Sequence, residues 1–231
     1  MPVSRKFLTR LRHAADPAND PPALAGLDDI DWKAVDHAHG RATDVPVLLR
    51  AAASRDRDAR EEAFQLLYES IWHQGSVYDA TPLVIPFLFR LLEADKTPDR
   101  SQVAHLLATI AGNGYPDDDE MVVTCRRIIG QRLDLLFPYL RDKDWGVRHI
   151  VATAIGCYPD VCVRALPNLE AAYRKERNEA VQLALASAIG NSPEGAARVL
   201  PELEAALQAA PNQWVRQAYQ QVIDRIRRGR A

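Results

Sequence analysis

The residues best suited to chemistry crowd a short stretch in the first half of the chain. Trp72-His73-Gln74-Gly75 and Tyr78-Asp79 bring an imidazole, a phenol and a carboxylate close together in sequence, which are ingredients of acid–base work. No nucleophile or oxyanion donor accompanies them. The same residues also read as a turn between two helices, with Gly75 at the bend and the aromatic rings packed beneath. Asp117, Asp118, Asp119 and Glu120 crowd the start of a helix expected to run through Arg132, where carboxylates suit the helix dipole. That run lacks the alternating oxygen ligands and the glycine of a calcium loop. His37 and His39, read as part of a helix, point to different faces and so make a poor metal pair. His105 reads as an ordinary helix-surface or core residue. No catalytic, cofactor or metal set is assigned, no cofactor is expected, and the balance favours a protein that is not an enzyme.

Bulk properties narrow the classes further. The chain has 231 residues, a net charge of −2 and 47% hydrophobic residues, enough to build a core. Residues 1–115 carry 13 basic and 16 acidic side chains, and the rest carry 16 and 15, so neither half has the footprint of a strongly basic nucleic-acid binder. No apolar run reaches the roughly 18 residues of a membrane span. Cys125, Cys157 and Cys162 are odd in number and lack CxxC spacing, which fits buried thiols in a reducing, cytoplasmic setting. The opening, with Arg5, Lys6, Arg10 and Arg12, has no long apolar segment and is not a secretory signal. It reads as a retained helix or, alternatively, an organelle presequence.

These residues must be positioned by helices, and the helices repeat. ATAIG at 152–156 recurs as ASAIG at 186–190, an offset of 34 residues. The same offset joins Asp144, Asn178 and Asn212, each suited to cap a helix. Each begins an amphipathic stripe: Val147, Ile150, Val151, Ala154 and Ile155; then Val181, Ala184, Leu185, Ala188 and Ile189; then Val215, Ala218, Tyr219, Val222 and Ile223. Of these, Ile150, Ile155, Leu185, Ile189 and Val222 are expected to be buried. Gly156 and Gly190 are expected to end the first two helices in a left-handed conformation. A shorter helix precedes each, with Pro167 and Pro201 expected near its start. The segment around Pro138 is a related helix out of register. Looser copies follow Pro46, with Asp56 as a cap ahead of Ala59, Ala63, Leu66 and Leu67, and follow Pro86, with Val103, Leu106, Leu107 and Ile110 ending at Gly112. Insertions fall at Trp72–Ala80 and Asn113–Met121. Residues 135–226 are expected to form three consecutive helix pairs.

Proline in a first helix followed by Asp144-x-x-Val147-Arg148, and by Asn212-x-x-Val215-Arg216, resembles HEAT repeats, in particular the short bacterial kind; Gln182 departs from the pattern. The resemblance covers about residues 45–226. It implies an all-α fold, a right-handed α-solenoid superhelix of about five HEAT-like two-helix repeats. Residues 1–44 would form an N-terminal helical cap and 45–231 the repeat array, a single continuous domain. The resemblance further implies that second helices line a concave binding face. The candidate partner-binding residues are Trp145, Arg148, His149, Gln182, Trp214, Arg216, Gln217 and Gln220, with His73 from the insertion. Arg148 and Arg216 could stack with Trp145, Trp214 and Tyr219 on a ligand; alternatively, such an arginine ties one repeat to its neighbour's acidic cap. The expected function is a non-catalytic scaffold for a protein partner, as a regulatory adaptor or immunity-type protein. A HEAT-like nucleic-acid binder or alkylpurine DNA glycosylase is the alternative, with Trp145, Arg148 and Trp214 in its cleft. A pigment-attaching lyase-like chaperone is a third. No membrane partner is expected.

Overall fold

The computed structural model describes residues 11, 14–112 and 119–229. The basic opening through residue 10 with Arg12, the pair Asp117 and Asp118, and the last two residues of the basic tail lie outside the described residues. The chain divides into two compact units, one built from the residues up to 110 with 119–132, the other from 111–112 and 133–229.

The first unit holds α1 (Val45–Ala53), α2 (Arg57–Ile71), α3 (Thr81–Glu93), most of α4 (Arg100–Gly112) and α5 (Glu120–Gly130). Asp56 caps α2 by accepting from the Ala59 N–H at 3.1 Å, as its position predicts. Asp119 does the same for α5, accepting from Met121 and Val122. Ahead of α1 lie three single-turn 3₁₀ helices between Pro17 and Asp29 and a small hairpin, β1 (Asp36–His37) with β2 (Gly40–Arg41). Buried Arg50 fastens this segment to α1: its Nε donates to both oxygens of Asp20 at 2.9 Å, and a terminal nitrogen reaches Asp28 at 2.6 Å. The insertion is also a hairpin, β3 (Trp72–His73) with β4 (Ser76–Val77). Both residues of its two-residue turn have positive φ, Gln74 at 50° and Gly75 at 89°, as the strand twist demands of such a turn.

The second unit holds a nine-residue 3₁₀ helix (Leu133–Arg141), α6 (Trp145–Gly156), α7 (Pro159–Tyr173), α8 (Glu179–Gly190), α9 (Pro193–Ala209) and α10 (Gln213–Arg228). These are the three expected pairs. Asp144, Asn178 and Asn212 cap α6, α8 and α10 through their side-chain oxygens. The first partner helix, around Pro138, is 3₁₀ rather than α; its apolar Leu133, Leu136 and Leu140 are nonetheless buried.

Three expectations need correcting. Pro167 and Pro201 sit in the middle of α7 and α9, which start eight residues earlier at Pro159 and Pro193. Both interior prolines are exposed, so the bond they remove is lost on the wet side, where water can replace it. Ile150 and Val222 are only half-buried. At about 100° per residue, the buried arc of α6 spans Ala154, Val147, Val151, Ile155 and Ala152, which leaves Ile150 just past one edge. Val222 belongs to α10, which is covered from one side among the described residues.

The third correction concerns Gly156 and Gly190. Neither has a positive φ, and each is the last residue of its helix. They serve close approach instead. A Cβ on Gly156 would stand 3.5 Å from the Ala188 backbone, and one on Gly112 would stand 3.4 Å from that of Ala154. On Gly190 it would fall 2.4 Å from the Ile226 side chain, which is an overlap. In the second unit the second helices therefore press together at small residues, Gly112 on Ala154, then Ala152 and Gly156 on α8, then Ala186 and Gly190 on α10. The polar tips are joined as well: Asn191 donates to the Gly156 carbonyl at 2.5 Å, and the Cys157 thiol, its equivalent one repeat earlier, to the Gly112 carbonyl at 3.6 Å.

Two stability measurements test this packing. Ile155→Ala should cost roughly 2–5 kcal/mol in urea unfolding, because Ile155 is fully buried; a change under about 0.5 kcal/mol would mean a solvent-facing stripe. Gly190→Ala should cost about 1–3 kcal/mol through overpacking. Adding Ile226→Val should recover part of that loss, and strict additivity of the two changes would contradict the contact.

Candidate functional site

The candidate residues of the second unit separate into three environments. The first is the turn that joins each first helix to its second. The residue four positions after the cap donates to the carbonyl two positions before it. Arg148 reaches the Asp142 carbonyl at 2.9 Å, Gln182 the Glu176 carbonyl at 2.9 Å, and Arg60 the Ser54 carbonyl at 3.0 Å. These side chains close their own turns. Arg148 does more: its Nε donates to one oxygen of Glu176 at 2.7 Å and a terminal nitrogen to the other at 3.0 Å. Glu176 is nearly buried and also accepts from the backbone of Arg177 and Asn178. The Arg148 guanidinium, helped by those N–H groups, holds the Glu176 carboxyl down at about 2. Arg60 and Glu176 escaped the sequence reading; the Asp56-x-x-Ala59-Arg60 spacing is the signal for the first, and nothing local marks the second.

The second environment is the flank that each second helix turns to the next repeat. It holds Arg148, Ala152 and Gly156 on α6, and Gln182, Ala186 and Gly190 on α8. On α10 the matching positions are Arg216, Gln220 and Asp224; the Gln220 amide donates to the Asp224 carboxylate at 2.8 Å. Trp145 is exposed beside Arg148 at the start of α6.

The third environment is the solvent side of the second helices. Stepping by the repeat, it comprises Gly146, Ala180 and Trp214; His149, Leu183 and Gln217; Ile150, Ala184 and Ala218; and Thr153, Ser187 and Gln221. All are half-buried or exposed, and none carries a formal charge. Burial pushes the His149 imidazole below its ordinary value, so it is neutral at neutral pH. Trp214 is 72% exposed at one end of this surface. α10 continues one turn past it, and there Arg225 and Arg228 stand exposed. Charge collects instead on the first helices, where Arg198 of α9 pairs with Glu170 and Glu194. Of the candidates, His149, Trp214 and Gln217 share this surface. Trp214 and Arg216 lie about 160° apart around α10 and do not form one patch.

The insertion residues belong to the first unit and do not come together as a catalytic set. His73 lies edge-on to His39, ring centres 5.5 Å apart, and His39 lies edge-on to His37 at 5.9 Å. His37 and His39 occupy a hairpin rather than a helix, so their relation follows the strand turn. His37 is already committed: its Nδ1 accepts from the His39 N–H at 3.0 Å, which leaves Nε2–H to donate to Asp44 at 2.8 Å. Tyr78 and Asp79 line a different spot, a pocket of about 380 Å³ with Asp36, Asp119 and Glu120, which His73 does not reach.

The ion pair gives a pH signature. Because the folded state holds Glu176 below its ordinary value of 4.5, its contribution is full above that value and is lost as pH falls through about 2. Glu176→Gln should cost on the order of 3 kcal/mol at pH 7 by leaving Arg148 without its carboxylate. It should also flatten the acid limb of a chemical-denaturation profile between about pH 2 and 5; an unchanged limb would assign the acid sensitivity elsewhere.

Residues 131–224 match the family model for HEAT repeats. Two crystal structures of engineered proteins are similar over almost the whole chain. One is 20% identical, covers 96% of this chain and 90% of its own, and has a TM-score of 0.57. The other is 19% identical, covers 99% and 95%, and has a TM-score of 0.58. At these identities the likeness concerns the fold alone. No curated protein matches the sequence. The 34-residue spacing of caps, the small-residue contacts between second helices and the family match agree: the chain is an all-α solenoid, and its residues 131–224 are HEAT-like repeats.

Proposed function

We propose that the chain is a non-catalytic scaffold that binds a protein partner on the solvent side of α6, α8 and α10. The observation that carries this reading is the absence of formal charge at four positions on each of these three helices, from Gly146 to Gln221. Nucleic acid demands lysine or arginine against phosphate, and this surface offers neither until Arg225. The core of a protein interface is depleted of charge and is anchored by a few large side chains. Ile150, Leu183 and Trp214 supply that kind of surface, with His149, Gln217 and Gln221 as neutral hydrogen-bonding groups between them. A regulatory adaptor or an immunity-type protein would use such a face to hold its target. No described helix is long and apolar enough to cross a membrane. The three reduced thiols suit a reducing, cytoplasmic setting as part of the same proposal; burial pushes Cys125 up to about 12 and Cys162 up to about 11.

Affinity capture from native lysate, quantified by mass spectrometry, tests the reading through paired variants. Trp214→Ala and Leu183→Glu should each lower capture of the enriched partner, with a loss of about 2 kcal/mol or more for the tryptophan, roughly 30-fold. Arg198→Glu, on the outer first helices, should leave capture unchanged. Equal capture by all three variants would place the interface elsewhere. Retention of duplex DNA in place of a protein would move the chain to the nucleic-acid class.

A further inference from the structure

Among the polar side chains that hold the turn-closing position, Arg216 on the flank of α10 departs from the rest. Arg60, Arg148 and Gln182 each donate to the carbonyl two residues before their own helix cap. Arg216 holds the same position after Asn212, yet it is exposed and has no such bond among the described residues. The other members of the series show what this position meets when a neighbour covers it. Over Arg148 lies the next turn, and that turn presents Glu176. Over Gln182 lies the turn after it, where the residue equivalent to Glu176 is Ala210, with no carboxylate to offer. Arg148 therefore stands where an acid faces it and the Gln182 amide where none does; Arg60, in the first unit, reaches only the carbonyls of Ser54 and Arg55.

We infer that the outer flank of α10 takes an acidic inter-helix turn of a protein partner, with Arg216 gripping its carboxylate as Arg148 grips Glu176. The chain itself supplies the template: a two-point guanidinium–carboxylate contact at 2.7 and 3.0 Å, the carboxylate held in place by backbone N–H groups at the start of a helix. The rest of the flank sets how close the occupant comes. Gly156 admits the α8 backbone at Ala188, and Gly190 admits the Ile226 side chain of α10. Gln220 and Asp224 replace those small residues and are bonded to each other, so a helix cannot pack there in the same way. What the flank can still reach is a projecting turn. Charge selects the partner's sign: Arg227 already pairs with Glu204 of α9, while Arg216, Arg225 and Arg228 stand exposed with Asp224 as the one acid of α10. Two copies of α10 would therefore repel rather than pair.

Arginine Nε–H NMR signals of the full chain test this grip directly. The probe is a capped Ala-Glu-Arg-Asn-Ala peptide that copies residues 176–178, alongside the same peptide with glutamine in place of glutamate. The glutamate peptide should move the Arg216 signal saturably at millimolar concentration, at least about tenfold more tightly than the glutamine peptide, a difference of about 1.4 kcal/mol. Arg216→Gln should abolish the saturable response. Leu183→Glu should leave it intact, which separates this flank from the uncharged face proposed above. Equal responses to the two peptides, or equal shifts at Arg225, would overturn the inference. Tighter binding of a 20-base-pair DNA duplex at Arg216 would overturn it too, in favour of a phosphate ligand.

Discussion

The passage of one second helix across the next at the distance of backbone contact governs the second unit. Such contact is possible only where side chains shrink to glycine or alanine, so each second helix must carry a small residue at every fourth position along one flank. Once that column is fixed, the opposite flank receives the preceding second helix, as Ala154 receives Gly112 and Ala188 receives Gly156, and the remaining apolar residues are driven toward the first helices. The proline-bearing helices then form the outer layer, where a missing backbone bond can be hydrated. The cap, the turn and the small-residue column are thus parts of one arrangement. A change at Gly190 is felt at Ile226, a residue in the following repeat, rather than locally.

Much of this was legible in the sequence because caps and stripes are local. Asp144, Asn178 and Asn212 announce helix starts by chemistry that needs only the next three residues. The roles of the glycines were not legible in the same way. A glycine after an apolar stripe looks like a helix stop, and only the neighbouring helix reveals that it is a contact. Ile150 was misplaced for a related reason: the buried arc is centred by two neighbours, while a stripe drawn on one helix assumes a single covering surface. Arg148 illustrates the limit for function. Its position by sequence suits both a ligand contact and an inter-repeat tie, and Glu176, 28 residues away, decides its occupation without any local signal.

The distribution of charge separates the two sides of the second unit. The first helices carry acids and bases that pair with one another across repeats, which keeps that side hydrated and self-satisfied. Up to Arg225 the second helices keep their solvent side free of formal charge, and the one residue there that could acquire it, His149, is held neutral by burial. Hydration of that side is consequently weak, and little polar desolvation opposes a partner that covers it.

The replacement of alanine and glycine by Gln220 and Asp224 on α10 bears on how the molecule behaves at high concentration. A repeat unit that presents the same small-residue column at its final helix as within its interior offers an identical copy a place to continue the stack. Head-to-tail contacts of that kind do not close on themselves and grow into filaments. A hydrogen-bonded glutamine–aspartate pair, flanked by arginines, makes the last described helix a poor substrate for such growth. The two side chains that end the close packing on α10 thereby work against such growth at this flank.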